Sequence, residues 1–163
     1  GLIQPDSYPF RIAQRLKTDY INMGFAGCAL MEQKMAEYLV SRKDWDFASV
    51  EMGINAVGNK RRLGLAEFEA RIDCFTQILS ADPRPVFATS IFGFNGEDQE
   101  LAGKMRSIVS KYASERLIFT DGLELLNDAA LISADCTHPS CRGIELIADK
   151  WGSIMQKHLK KTY

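Results

Sequence analysis

An aspartate and a histidine three positions apart, Asp135 and His138, are the residues of this sequence best suited to chemistry. A carboxylate so close in a turn can accept a hydrogen bond from one imidazole nitrogen. That contact fixes the tautomer and leaves the other nitrogen as a base. The same spacing also suits an ordinary Asx turn beside a solvent-facing histidine, so the residues alone leave both interpretations open. His158 lies among lysines near the end of the chain, where we expect an exposed cation.

The elements that must position these residues follow from hydrophobic periodicity. Apolar runs of β type lie at 20–23, 47–52, 86–91 and 117–120. Apolar stripes at helical spacing begin near Ser7, a suitable N-cap, and recur at 31–39, 65–79, 101–112 and 144–155. Alternating strands and helices predict an α/β fold of three layers, with helices on both faces of a parallel sheet. Glu51 falls inside a predicted strand, and we assign no chemistry to it.

Ligands of open parallel sheets bind beyond the carboxyl ends of the strands. In this chain those positions carry glycine turns at 24–27 and 53–55, a Gly-Asn segment at 93–96 and the acid at Asp121. Asp135 and His138 lie in the loop before the last helix. The sequence therefore predicts that glycine turns, Asn55 and the Asp-His pair lie along one rim of the sheet.

Composition excludes several function classes. The chain has 163 residues and a net charge of −1. A protein that binds nucleic acid usually carries a strong positive charge, which this chain does not have. No apolar run is long enough for a membrane span, and no signal peptide opens the sequence. Four cysteines are too few for a disulfide scaffold, and the pair that brackets His138 lacks the second pair of a zinc site. We expect no metal and no organic cofactor. The cysteine usage points towards the cytoplasm, but localisation stays open, because any signal peptide would lie upstream of Gly1.

Three segments taken together resemble blocks II, III and V of the SGNH/GDSL hydrolases. They are residues 22–27 (NMGFAG), 53–55 (GIN) and 135–140 (DCTHPS). The Asp-x-x-His-Pro pattern ahead of an amphipathic C-terminal helix is the most specific of the three, whereas Gly-x-Asn alone carries little weight. Their order and spacing fit the family over most of the chain.

The resemblance implies a serine esterase with a five-stranded, flavodoxin-like parallel sheet. His138 would be the general base and Asp135 its orienting partner. Gly27, through its backbone N–H, and Asn55, through its side-chain amide, would donate to the oxyanion. The chemistry is consistent, because neutral donors stabilise a tetrahedral oxyanion without a cation and an asparagine donor does not titrate.

The sequence departs from the family pattern at the nucleophile. The Gly-x-Ser motif of block I belongs upstream of a Tyr-Pro helix start, and here that start, Tyr8-Pro9, has no strand or motif before it. Ser7 abuts the helix and is read as its cap. Residues 1–163 are therefore expected to form a single domain that lacks its N-terminal strand and nucleophile loop, with the serine upstream of Gly1. Ala56 stands where the family often has aspartate.

The resemblance thus predicts a serine ester hydrolase whose partner is a small-molecule ester, such as a carbohydrate that carries an acetyl group. A catalytically inactive module of the same fold, which binds a ligand, is the first alternative. The second is a flavodoxin-like binder of a nucleotide or flavin. Its phosphate loop would follow the first strand, where Gly24 and Gly27 are too sparse for the purpose.

Overall fold

The computed structural model describes residues 7–58 and 62–162. The described chain divides into two compact units. We call residues 25–58, 62–91 and 97–122 the sheet unit, and residues 7–24, 92–96 and 123–162 the terminal-helix unit. Within these ranges, no helix is both long and apolar enough to cross a membrane.

The sheet unit is built on three short parallel strands, β1 (Ala48–Glu51), β2 (Val86–Thr89) and β3 (Leu117–Thr120). They pair in chain order, β1-β2-β3, with Ala48 beside Val86 and Val86 beside Leu117. Every residue of β2 is buried, as expected for the central strand of a parallel sheet. The predicted α/β class with a parallel sheet is confirmed.

Four helices accompany the sheet in this unit: α2 (Gln33–Ser41), α3 (Ile54–Val57), α4 (Leu65–Ala81) and α5 (Gln99–Ser110). Helix α4 packs against α2, α5 and β3. It does so with the apolar stripe that the sequence predicts, since its buried residues include Phe68, Ile72, Phe75 and Leu79. The longer helices confirm the stripes at 65–79 and 101–112 to within a few residues.

The terminal-helix unit holds α1 (Tyr8–Leu16), a 3-10 turn at Ala129–Leu131 and α7 (Cys141–Thr162), while α6 (Gly122–Leu125) follows β3. Ser7 caps α1, because its hydroxyl accepts a hydrogen bond from Phe10 N at 3.4 Å. Helix α1 packs on α7, where Trp151 is fully buried and its ring lies 6.0 Å from that of Tyr8. The predicted first and last helices are therefore both confirmed.

One predicted strand is wrong. Residues 20–23 carry an alternating apolar pattern, but the structure gives them no regular secondary structure and leaves Ile21 45% exposed. A strand requires a neighbour to complete its hydrogen-bond ladder, and no described residue pairs with this segment. The expectation of a missing upstream strand concerns Gly1 and its surroundings, which lie outside the described residues.

Candidate active site

The Asp135–His138 turn is held by its own aspartate. Oδ2 of Asp135 lies 2.6 Å from Nδ1 of His138. Oδ1 accepts three further hydrogen bonds, from the backbone N–H groups of Thr137 and His138, both at 2.9 Å, and from the hydroxyl of Ser133 at 2.7 Å. The carboxylate is thus fixed in orientation by four contacts that all come from within three residues of it.

These contacts favour the ionised form of Asp135. The backbone N–H groups of His138 and Thr137, followed by the hydroxyl of Ser133 and the imidazole, hold the pKa of the Asp135 carboxyl well below its usual range. A proton on Nδ1 of His138 makes the 2.6 Å contact a hydrogen bond to a carboxylate. The remaining ring nitrogen, Nε2, is then the one able to accept a proton, and the His138 side chain is 70% exposed.

The turn is fastened at the start of α7. Ser133 N donates to His138 O at 2.8 Å, and Ser140 N donates to Leu131 O at 2.7 Å. The hydroxyl of Ser140 accepts from Gly143 N at 3.3 Å, which confirms Ser140 as the predicted cap of that helix. Cys136 takes a left-handed conformation, with φ of 60°, that tightens the turn. His138 is therefore carried on a short, closed turn at a helix start.

Gly27 lies in a tight turn of the sheet unit. Cys28 N donates to Phe25 O at 3.0 Å across the turn, and Gly27 has φ of 68°, the left-handed region that glycine enters without steric cost. A Cβ at this position would meet no atom within 4 Å, so backbone conformation, and not space, favours glycine here. The turn is exposed, and Phe25 beside Gly27 is 63% exposed.

Asn55 contacts this turn two residues after Gly27. Its Oδ1 accepts a hydrogen bond from Ala29 N at 2.9 Å, so its Nδ2 is the end of the amide that can donate elsewhere. Asn55 is the second residue of α3, which begins after Gly53. That glycine has φ of 137° and no room for a Cβ, because the side chain of Ile91 would lie 2.6 Å away. The structure therefore brings Asn55 together with the turn that carries Gly27.

Sequence reasoning assigned no role to two charged residues of the sheet unit, Glu51 and Arg106. Glu51 is the last residue of β1, and its Oε1 accepts from Ile54 N at 3.2 Å. Glu51 is half-buried, and desolvation raises the pKa of its carboxyl to about 7 against the opposing effects of the Ile54 N–H and the positive charge of Arg106. Arg106, on α5, donates from Nε to Ile91 O at 2.8 Å. No local pattern signals the pair, since the two residues are far apart in sequence.

The ends of β2 and β3 are joined by a further polar contact. The hydroxyl of Ser90 donates to Asp121 Oδ1 at 3.1 Å and accepts from Gly122 N at 2.9 Å, and Ser90 is fully buried. Asp121 lies at a strand end, as predicted. Its hydrogen bond with Ser90 links the end of β3 to the end of β2. Across the described residues, no group of three His, Cys, Asp or Glu side chains is placed to hold a metal ion.

The fold is shared with solved esterase structures. A protein from Bacteroides ovatus described as a GDSL-like lipase superposes with a TM-score of 0.77 at 20% identity, over 95% of this chain and 48% of that one. A carbohydrate acetylesterase from Sinorhizobium meliloti gives 0.77 at 10% identity, over 96% and 87%. A catalytic mutant of an acetylxylan esterase from Geobacillus stearothermophilus gives 0.71 at 21% identity, over 89% and 78%. The chain has the fold of the GDSL-type hydrolases.

These similarities are structural. A scan against protein-family models and a search of curated protein sequences each found no match. The chain spans about half the length of the Bacteroides ovatus protein and most of the length of the two acetylesterases. The resemblance seen in residues 22–27, 53–55 and 135–140 thus corresponds to a shared fold.

Proposed function

We propose that the protein is a serine ester hydrolase that acts on a carboxylic ester by Ser-His-Asp acyl transfer, with a small acyl group such as acetyl on a carbohydrate as the substrate class. The observation that carries the proposal is the 2.6 Å contact between Asp135 Oδ2 and His138 Nδ1. Support for the substrate class comes from the two structurally similar acetylesterases.

In this mechanism, His138 moves the protons. Nε2 takes the proton of the attacking serine hydroxyl as its oxygen bonds to the ester carbonyl carbon, and then gives it to the departing alcohol as the C–O bond breaks. Nε2 next takes a proton from the water that hydrolyses the acyl-enzyme and returns it to the serine. Asp135 stays ionised throughout, since its pKa lies well below its usual range, and it stabilises the imidazolium that forms.

The oxyanion has two proposed hydrogen-bond donors, the Gly27 N–H and Asn55 Nδ2. Neutral donors that are already oriented stabilise the tetrahedral intermediate without reorganisation during the reaction. The hydrogen bond from Ala29 N to Asn55 Oδ1 supports this role, because it directs the amide with its NH₂ end away from Ala29.

The nucleophile is proposed to be a serine upstream of Gly1. In the family that the sequence resembles, the nucleophile motif precedes a Tyr-Pro helix start, and α1 begins with Tyr8 and Pro9. Ser7 is given the structural role instead, because its hydroxyl accepts from Phe10 N as the helix cap.

The decisive experiment measures p-nitrophenyl acetate hydrolysis by the full natural polypeptide that contains this chain. His138→Ala should lower kcat by several orders of magnitude, as loss of a triad member does. His158→Ala is the matched control and should leave turnover unchanged, since that residue lies near the end of α7. Near-wild-type turnover in His138→Ala would refute the proposed mechanism.

Two other results would favour the alternatives. A folded wild-type protein that binds an acetylated carbohydrate but does not turn over any ester would indicate an inactive binding module. Visible absorbance of the purified protein would indicate a flavin binder. Each result would replace the hydrolase proposal.

A further inference from the structure

The end of β1 holds a half-buried carboxyl that the proposed mechanism leaves unused. Glu51 ends that strand, and Gly53 and α3 follow shortly after it. Partial removal of a carboxylate from water costs free energy unless hydrogen bonds or nearby charges compensate for it. Its only hydrogen bond among the described residues is the one that Oε1 accepts from Ile54 N, at 3.2 Å.

That contact acts on the turn that presents Asn55. Ile54 N belongs to the first residue of α3 and Asn55 is the second, so the carboxylate of Glu51 fixes the peptide that leads into Asn55. Helix α3 is too short to hold its own first turn rigid. The turn is also closed on Gly53 O, which accepts from Ala56 N at 2.8 Å and from Val57 N at 3.3 Å. The side chain of Asn55 accepts from Ala29 N through its Oδ1. The Glu51 contact therefore acts on the peptide that enters Asn55, and the Ala29 contact acts on its side chain.

Arg106 supplies a positive charge that acts on Glu51. It lies on α5, which packs against α3, and its Nε donates a hydrogen bond to Ile91 O at 2.8 Å. The negative charges of Asp121 and Glu51 both act on Arg106 in turn. The ionisation of Glu51 is governed by desolvation, by the Ile54 N–H and by Arg106.

We propose that Glu51 is a positioning residue, whose half-buried carboxylate accepts from Ile54 N and holds the Ile54–Asn55 turn so that Asn55 Nδ2 is aimed at the oxyanion. The expected effect of Glu51 on kcat rests on the proposed esterase function. The expected effect of Glu51 on the structure of the Ile54–Asn55 turn does not. Deprotonated Glu51 is the stronger acceptor for Ile54 N. Asn55 Nδ2 is therefore best oriented towards the oxyanion when Glu51 is ionised.

The kinetic test uses Glu51→Gln in the full natural polypeptide. Glutamine keeps the shape and an acceptor oxygen but removes the charge. Because an oxyanion donor acts in the transition state, we expect kcat to fall about tenfold above neutral pH while KM changes less than about twofold. The kcat profile should also lose the ionisation of Glu51 near pH 7. Glu100→Gln is the matched control, as that exposed residue pairs with Lys104 on the surface of α5.

A double-mutant cycle tests whether the effect passes through Asn55. Glu51→Gln should have no further effect on kcat in an Asn55→Ala background, because the residue being positioned is gone. An equal loss of kcat in both backgrounds, or an unchanged kcat in the single variant, would overturn the inference.

A second measurement separates this inference from the proposed function. In ¹H–¹⁵N NMR spectra, the Ile54 backbone amide and the Asn55 side-chain amide should titrate together with a midpoint near the Glu51 pKa of about 7. Both titrations should vanish in Glu51→Gln and persist in Glu100→Gln. If wild-type protein lacks ester turnover, the proposed function fails, while this titration still decides the role of Glu51. Amides that do not titrate in wild-type protein would overturn that role.

Discussion

The Asp135–His138 turn and the Glu51–Asn55 turn both carry polar groups suited to catalysis, but they are stabilised in opposite ways. Asp135 is exposed and accepts hydrogen bonds from residues no more than three positions away, which lower its pKa. Glu51 is half-buried, and desolvation raises its pKa to about 7. Asn55 takes its support from Ala29, 26 positions away. One turn is self-contained, and the other depends on packing.

This difference determines how each turn responds to change. Hydrogen bonds within a short segment survive small shifts elsewhere in the fold, because donor and acceptor move together. A group held by contacts distant in sequence loses its orientation when any of those elements moves. Substitutions at Asp135 should therefore affect the chemistry of His138 alone. Substitutions around Asn55 should affect both the local fold and turnover.

The largest expected effect comes from Asp135→Asn. The asparagine Oδ1 can still accept the backbone N–H groups of Thr137 and His138, so the turn should persist. Its amide nitrogen can only donate to Nδ1 of His138, which forces the imidazole proton onto Nε2 and removes the base. We expect kcat to fall by a factor on the order of 10⁴ with thermal stability little changed. A loss below tenfold would show that the exposed pair is an ordinary Asx turn.

Asn55 should give the next largest effect. Loss of an oxyanion donor costs on the order of 10²–10³ in kcat, which is expected for Asn55→Ala. Asn55→Asp sharpens the test, because it keeps an oxygen for Ala29 N but replaces the NH₂ donor with an acceptor. Its kcat should fall at least as far as that of Asn55→Ala. Activity retained in Asn55→Asp would mean that this side chain only anchors the Gly27 turn.

The contrast between the two turns also explains what the sequence could predict. Asp135, His138 and Ser140 form a local pattern, and both the contact and the helix cap appear where spacing places them. The helices were predictable because each buries one apolar stripe. Residues 20–23 were mispredicted because a strand depends on a partner that local alternation does not reveal. The local pattern marks Glu51 only as a strand residue, because the electrostatic effect of the distant Arg106 on it arises only on folding.

The smallest expected effect is on the pH dependence of the free energy of unfolding. Glu51 and Asp135 should contribute to it with opposite signs. The pKa of Glu51 is raised to about 7 from 4.5, so the folded protein binds a proton there that the unfolded chain has lost. Its contribution to stability is present below pH 4.5 and is lost as the pH rises to about 7. Asp135, whose pKa is lowered, contributes in the opposite direction and loses its contribution only in acid.

Chemical unfolding of wild type and Glu51→Gln at a series of pH values isolates the Glu51 carboxyl. Wild type should lose about 2–3 kcal/mol relative to the variant between pH 4.5 and 7, and the difference should be constant above that range. Glu100→Gln should run parallel to wild type across the same window, because its carboxylate is exposed. A parallel course for Glu51→Gln as well would mean that Glu51 titrates like a solvated carboxylate. Desolvation of Glu51 would then not distinguish its turn from the exposed turn of Asp135.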